Sequence, residues 1–231
     1  VILLLFDIDG TLVSGATEAH SEALRRALLT VHGVHVETIR GPVSPAGRTD
    51  GEIARTILLE AGVSARRIDE LADEVRERCC EEHARLCPSD LSHTVLPGVT
   101  QLLEWLAGSD HACLGLLSGN YEPVGRLKLA RAGLGRFFPA GLGAFGSDSE
   151  DRTSLPAIAR RRAGRRGLPH PRNQTVVIGD TPRDIACARA DRVGCIALAT
   201  GPFAADELGA ADAVARDAFE LRTELEATLR G

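Results

Sequence analysis

Ile2-Leu3-Leu4-Leu5-Phe6-Asp7-Ile8-Asp9-Gly10-Thr11 is the stretch that decides the fold of this chain. The apolar run from Val1 to Phe6 is far too short to span a bilayer, and it leads into two aspartates rather than a cleavage site. It reads as a buried strand. Asp7 and Asp9 are two positions apart, hence on one side of an extended backbone, and Gly10 lets the chain turn away. Two acids placed together favour a divalent metal. In an open parallel sheet ligands sit at the carboxyl ends of the strands, so the residues just after each strand carry the chemistry.

Outward from this strand the pattern is first helical. Glu18 to Val31 has leucines and alanines at helical spacing. Thr49 with Glu52 three residues on makes a capping box, for a helix ending at Gly62. From Ala65 to Leu86 a longer helix places Ile68, Leu71, Val75 and Cys79 on one stripe. After Pro97 and Gly98 comes a helix over Val99 to Leu106. Short apolar runs then alternate with helical segments: Ala112 to Leu117, Pro123 to Ala132, Leu142 to Phe145, Leu155 to Ala163, Thr175 to Ile178, Pro182 to Ala190 and Gly194 to Leu198. A weak strand at Ala213 to Ala215 and a helix over Ala218 to Leu229 close the series. This order predicts an α/β fold, a Rossmann-like parallel sheet with helices on both faces. The helical stretch interrupts it after one strand, so residues 15–94 are expected to be an inserted all-helical cap and residues 1–14 and 95–231 the core.

At 231 residues with 44% hydrophobic, the chain can build one large domain or a core with an insert. A net charge of -5 leaves no global positive field for nucleic acid or an anionic membrane, so the partner must be recognised locally. The six cysteines include the adjacent pair Cys79 and Cys80 and form no regular framework, which fits reduced thiols in a cytoplasm. The chain contains no methionine, so Val1 is not expected to be the translated start.

Two further strand ends are chemically loaded. Leu117-Ser118-Gly119-Asn120 puts a hydroxyl where it could donate to a phosphate oxygen, although a serine there also serves as a turn or helix cap. Val177-Ile178-Gly179-Asp180-Thr181-Pro182-Arg183-Asp184 puts one acid at the strand terminus and a second one helical turn on. Asp180 and Asp184 can face one pocket, or they can be a helix cap and a dipole partner.

With Asp7 and Asp9 in D-x-D-G-T, then Ser118, then Asp180 and Asp184 in G-D-T-P-x-x-D, the sequence resembles the haloacid dehalogenase-like hydrolase superfamily, in its phosphoglycolate phosphatase-like group with a helical cap. The resemblance implies a magnesium-dependent phosphatase acting on a small phosphorylated metabolite. It makes Asp7 the nucleophile that forms an aspartyl-phosphate and Asp9 the acid and later the base. Magnesium would be held by Asp7, the Asp9 carbonyl and Asp180, with Asp184 supporting its waters. Ser118 would hold a phosphoryl oxygen, beside Gly119 and Asn120. A phosphomutase like β-phosphoglucomutase, which returns the phosphoryl group to a second hydroxyl, is the first alternative. A non-catalytic binding module on the same fold is the second, against which the retention of Asp7, Asp9, Asp180 and Asp184 together argues. A dehalogenase fits less well, because that branch normally lacks the second acid.

The family's third motif supplies a lysine, and here the sequence departs from it. After the Leu142 to Phe145 run no lysine is in reach, and Arg152 is expected to take the role, since guanidinium bridges phosphate and carboxylate oxygens. Lys128, the only lysine, lies well down its helix and is expected at the surface. His20 is expected to be an ordinary helix-start residue. Cys79, His83 and Cys87 recur at helical spacing, but three helical positions make poor tetrahedral geometry for zinc. Arg160 to Arg166 reads as a solvated helix end rather than an RNA patch. In the loop from Gly41 to Arg48, Arg48 either touches substrate or is a solvated loop arginine.

Overall fold

A computed structural model describes residues 1–36 and 45–230. The elements run β1 (Ile2–Phe6), α1 (Glu18–His32), α2 (Asp50–Glu60), α3 (Ala65–Leu86), α4 (Val99–Ala107), β2 (Ala112–Ser118), α5 (Glu122–Arg131), β3 (Gly143–Phe145), α6 (Leu155–Ala163), β4 (Thr175–Gly179), α7 (Pro182–Asp191), β5 (Gly194–Leu198), β6 (Ala213–Ala215) and α8 (Ala218–Arg230). The six strands form one sheet in the order β3-β2-β1-β4-β5-β6, and every neighbouring pair is parallel. The expected α/β class is therefore the observed one.

β1 sits in the interior of the sheet because its residues are apolar on both faces. Leu4, Phe6 and Ile8 join one core with residues of α4 and α8, while Leu3 and Leu5 join the opposite core with residues of α6 and α7. Alternation of side chains along a strand sends neighbours to opposite faces, so an unbroken apolar run is what a doubly covered strand requires. Because β1 is flanked by β2 on one side and β4 on the other, the strand order reverses at its end. This opens the crevice where open sheets bind ligands.

The helices α1, α2 and α3 have a core of their own. Ala23, Leu24, Ala27 and Leu28 of α1 pack with Ala54, Ile57 and Leu58 of α2, and with Ile68, Val75 and Cys79 of α3. Tyr121 and Val124, from the segment after β2, join this cluster and seat it on the sheet unit. The α3 stripe continues to a buried His83, whereas Leu71 is only half-buried. The two connecting segments lie side by side: the Ser14 N–H donates to the Thr94 carbonyl at 2.8 Å and the Leu96 N–H to the Leu12 carbonyl at 3.1 Å.

Two surface expectations are overturned. Lys128 is fully buried, because Val124, Gly125 and Lys128 share the α5 face that is covered. Arg160 is also buried, since its Nε donates to Asp191 Oδ2 at 2.6 Å and its Nη1 donates to the His170 carbonyl. Arg161, Arg165 and Arg166 are exposed, as a solvated helix end should be. All six cysteines are free thiols, and no described helix is long and apolar enough to cross a membrane.

Candidate active site

The β1 ladder runs one residue past the strand, with the Asp7 N–H donating to the Ile178 carbonyl at 2.8 Å. Asp7 is thereby carried beside the end of β4, where Asp180 follows. The chain then folds back, since the Leu12 and Val13 amides both donate to the Ile8 carbonyl. Gly10 makes this turn at φ 86, and a Cβ there would run into the Asp180 carboxylate. At that position glycine serves both the left-handed backbone and the close approach.

Thr181 caps α7, with Asp184 as its capping-box partner: the Thr181 N–H and Oγ1 donate to Asp184 Oδ2 at 3.0 and 2.7 Å. Asp184 is thus the cap partner, and it does not line the pocket itself: its other oxygen, Oδ1, accepts from Arg152 Nη2 at 2.5 Å. The same Nη2 lies 3.2 Å from Asp7 Oδ1. Carboxylate oxygens of Asp7, Asp180 and Asp184 lie within 4.8 Å of one another, and all three residues are buried.

Asp7 and Asp180 open onto a cavity of about 670 Å³, which Asp9, Ser118, Gly119, Asn120 and Arg152 also line, while Asp184 lies fully buried behind them. Its far wall comes from α1 and α2, through His20, Leu24, Ile53 and Ile57. Ser118 is buried at the end of β2, and its Oγ accepts from the Asn120 N–H at 3.3 Å. The Asn120 side chain donates to Asp9 Oδ2 at 3.0 Å. Arg48 lines the cavity, but its Nη1 is tied to Glu52 at 3.0 Å. Of the loop that carries Arg48, Gly41 to Ser44 lie outside the described residues.

A model of the haloacid dehalogenase-like hydrolase family matches residues 4–189. The chain belongs to that family. Among curated proteins, none matches it significantly. The fold of this haloacid dehalogenase-like hydrolase is similar to that of β-phosphoglucomutase from Clostridium difficile, at 18% identity and a TM-score of 0.69 over 100% of this chain and 97% of that one. It is also similar to a hydrolase from Pseudomonas syringae, at 23% identity and a TM-score of 0.65 over 97% of both chains. CbbY from Rhodobacter sphaeroides, solved in complex with phosphate, gives 19% identity and a TM-score of 0.63 over 96% of both.

Sequence reasoning missed part of this hydrolase's candidate site. The buried Lys128 donates to Asp9 Oδ1 at 2.9 Å and to Oδ2 at 2.7 Å. His20 and Asp50 complete the set, with His20 Nε2 and Asp50 Oδ2 at 3.0 Å. The signal available was the spacing of Tyr121, Val124, Gly125 and Lys128 on one helical face. A side chain on a helix leans toward the N-terminus, so the long lysine stem reaches back over the preceding turn.

The electrostatics separate the acids. Burial pushes the Asp7 carboxyl up; Arg152 opposes this, while Asp184 and Asp9 add to it. Asp180 is also raised, by burial first and then by Asp7 and Asp184. Burial raises Asp9 too, but the charge and hydrogen bond of Lys128, with the Asn120 hydrogen bond, bring it below the ordinary value. The buried oxygen-donor set of Asp7, Asp180 and Asp184, short of positive charge, fits a hard divalent cation such as magnesium, which would relieve their repulsion.

A stability prediction follows. A carboxyl whose folded pKa is raised holds a proton that the unfolded chain has already released, so stability falls as pH rises above the ordinary 3.8 toward the raised values. We expect the denaturation midpoint of the metal-free protein to fall from about pH 4 toward neutrality. Saturating magnesium should flatten that slope. A midpoint equally flat with and without the cation would contradict the electrostatic account.

Proposed function

We propose that this hydrolase cleaves small phosphomonoesters through a covalent aspartyl-phosphate on Asp7. The observation that carries this reading is the cluster of Asp7, Asp180 and Asp184 around Arg152, at the point where the strand order reverses, with Asp9 on the same cavity. An Asp7 oxygen attacks phosphorus as the bond to the leaving oxygen breaks, and Asp9 passes to that oxygen a proton that the monoanion of the phosphomonoester brings to it on binding. In the second half, water attacks the aspartyl-phosphate, its proton passes to Asp9, and inorganic phosphate leaves Asp7. Arg152 offsets the charge gathered at Asp7 and Asp184, and Ser118 with the Gly119 and Asn120 segment cradles the phosphoryl oxygens.

Asp7, the Asp9 carbonyl and Asp180 would hold magnesium, with Asp184 behind them, and the cation would supply charge to bring an anionic phosphate to an anionic nucleophile. Residues 15–94 act as a cap over a core of residues 1–14 and 95–231, excluding water and meeting the leaving group. The separate apolar core of α1 to α3 and the paired segments at Ser14 and Thr94 support this division. Arg48 stands where it could touch the leaving group if Glu52 releases it.

The test is inorganic phosphate release from a panel of small phosphomonoesters, with magnesium and with chelator. Magnesium-dependent release, lost on chelation and restored by added cation, is the expected result. Phosphate release from the panel indifferent to chelator would remove the cation from the reading. Isomerisation of a sugar phosphate without net phosphate release would show transfer to a second hydroxyl by the same two aspartates.

A further inference from the structure

Lys128 carries a charge into a place where charge is costly. An ammonium taken fully out of water loses its solvation, and only acceptors for its protons offset that loss. Here all three protons find one. Two go to the Asp9 oxygens at 2.9 and 2.7 Å, and the third points to His20 Nδ1 at 3.3 Å.

A lysine ammonium can only donate, so His20 Nδ1 accepts and its Nε2 carries the ring proton. That proton faces Asp50 Oδ2 at 3.0 Å, and the same oxygen accepts the Tyr121 N–H at 2.7 Å. Along Asp9–Lys128–His20–Asp50, Lys128 therefore donates both ways, to Asp9 and to His20, and His20 donates on to Asp50. Its members come from four places: the turn after β1, then α5, α1 and α2. Asn120 Nδ2 adds a further donor to Asp9 Oδ2.

We propose that Lys128, steadied by His20 and Asp50, is the positioning residue that fixes the Asp9 carboxylate for proton exchange with the substrate's leaving oxygen and with the attacking water. This rests on the phosphomonoester reading above. Lys128 takes no part in the proton exchange itself. It sets where the Asp9 oxygens stand, and it does so only while α1 and α2 are seated on α5, which links the aim of Asp9 to the seating of the helical unit.

A positioning role is separable from a structural one by the leaving group. An alkoxide needs a proton as it departs, whereas nitrophenolate leaves without one. The experiment compares kcat/KM for glycerol phosphate and for p-nitrophenyl phosphate in the wild type, Lys128→Met and His20→Ala, each checked for native circular dichroism. In Lys128→Met the alkyl ester should lose on the order of 10²-fold, the range of general acid catalysis. The aryl ester should lose less than about tenfold on the same scale. His20→Ala should show the same selectivity with a smaller loss, and it decides the matter if Lys128→Met does not fold. Adding Lys128→Met to Asp9→Ala should have no further effect on the alkyl ester. If the wild type cleaves both esters and the variants lose both in equal proportion, or lose neither, the positioning role is overturned while the phosphomonoester reading stands. If the wild type cleaves neither ester, both fall together.

Discussion

Asp7→Asn should abolish phosphate release, by about 10⁴-fold or more, the scale on which removing a covalent nucleophile acts. The amide keeps the size of the carboxylate but has no anionic oxygen to attack phosphorus. The variant should not be less stable. Asp7 is buried against Asp184 and Asp180, and burial alone already opposes its charge, so a neutral side chain there removes repulsion. A denaturant midpoint at or above that of the wild type in metal-free buffer, together with lost activity, would isolate the chemical role from folding. Retained turnover in Asp7→Asn would overturn the covalent mechanism.

Arg152→Ala should be costly in both respects. The guanidinium is the cation between Asp7 and Asp184, at 3.2 and 2.5 Å from their oxygens, and it is buried with them. Breaking a buried pair by removing one partner leaves uncompensated charge and costs about 3–5 kcal/mol. We expect metal-free Arg152→Ala to lose stability on that scale and to recover part of it with magnesium, which also brings positive charge to the cluster. Turnover should fall about 10²- to 10³-fold, as when one preorganised donor to developing charge is lost. Arg152→Lys should restore some activity, since one ammonium can still meet Asp7 or Asp184, though without the flat fork of the guanidinium. Steady-state kinetics and urea unfolding with and without magnesium check both parts. Unchanged turnover in Arg152→Ala would take it out of the site.

Much of the frame was legible in the chain. Strand and helix positions followed from apolar period and from caps, and the helical run from Ala65 to Leu86 and the strands at Gly194 to Leu198 and Ala213 to Ala215 stand where the residues put them. Boundaries shifted by a residue or two where the ladder extends beyond the apolar run, as at Ser118 and Gly179. Asp7, Asp9, Ser118 and Asp180 were singled out because each stands at a strand end, and Asp184 because it lies one helical turn beyond Asp180; parallel strands deliver their carboxyl ends to one edge. Arg152 was reached through the resemblance, as the basic residue standing where the family's third motif has a lysine and this chain has none. Its bridge to Asp7 and Asp184 needs the fold to bring residues far apart in sequence together.

Lys128 and Arg160 mark where sequence reasoning stopped. Both are long basic side chains, and long basic side chains are mostly exposed, so a surface position was the natural expectation for each. What buries them is the arrival of an acid from elsewhere: Asp9, 119 positions from Lys128, and Asp191, 31 positions from Arg160. Local periodicity reports which residues share a face, but not what will cover that face. The chain by itself determined the order of its elements and the acids at their ends, because backbone period and strand polarity are local properties. Only the tertiary structure decided which charges are buried and paired, because desolvation and Coulomb attraction depend on neighbours that the chain supplies from a distance.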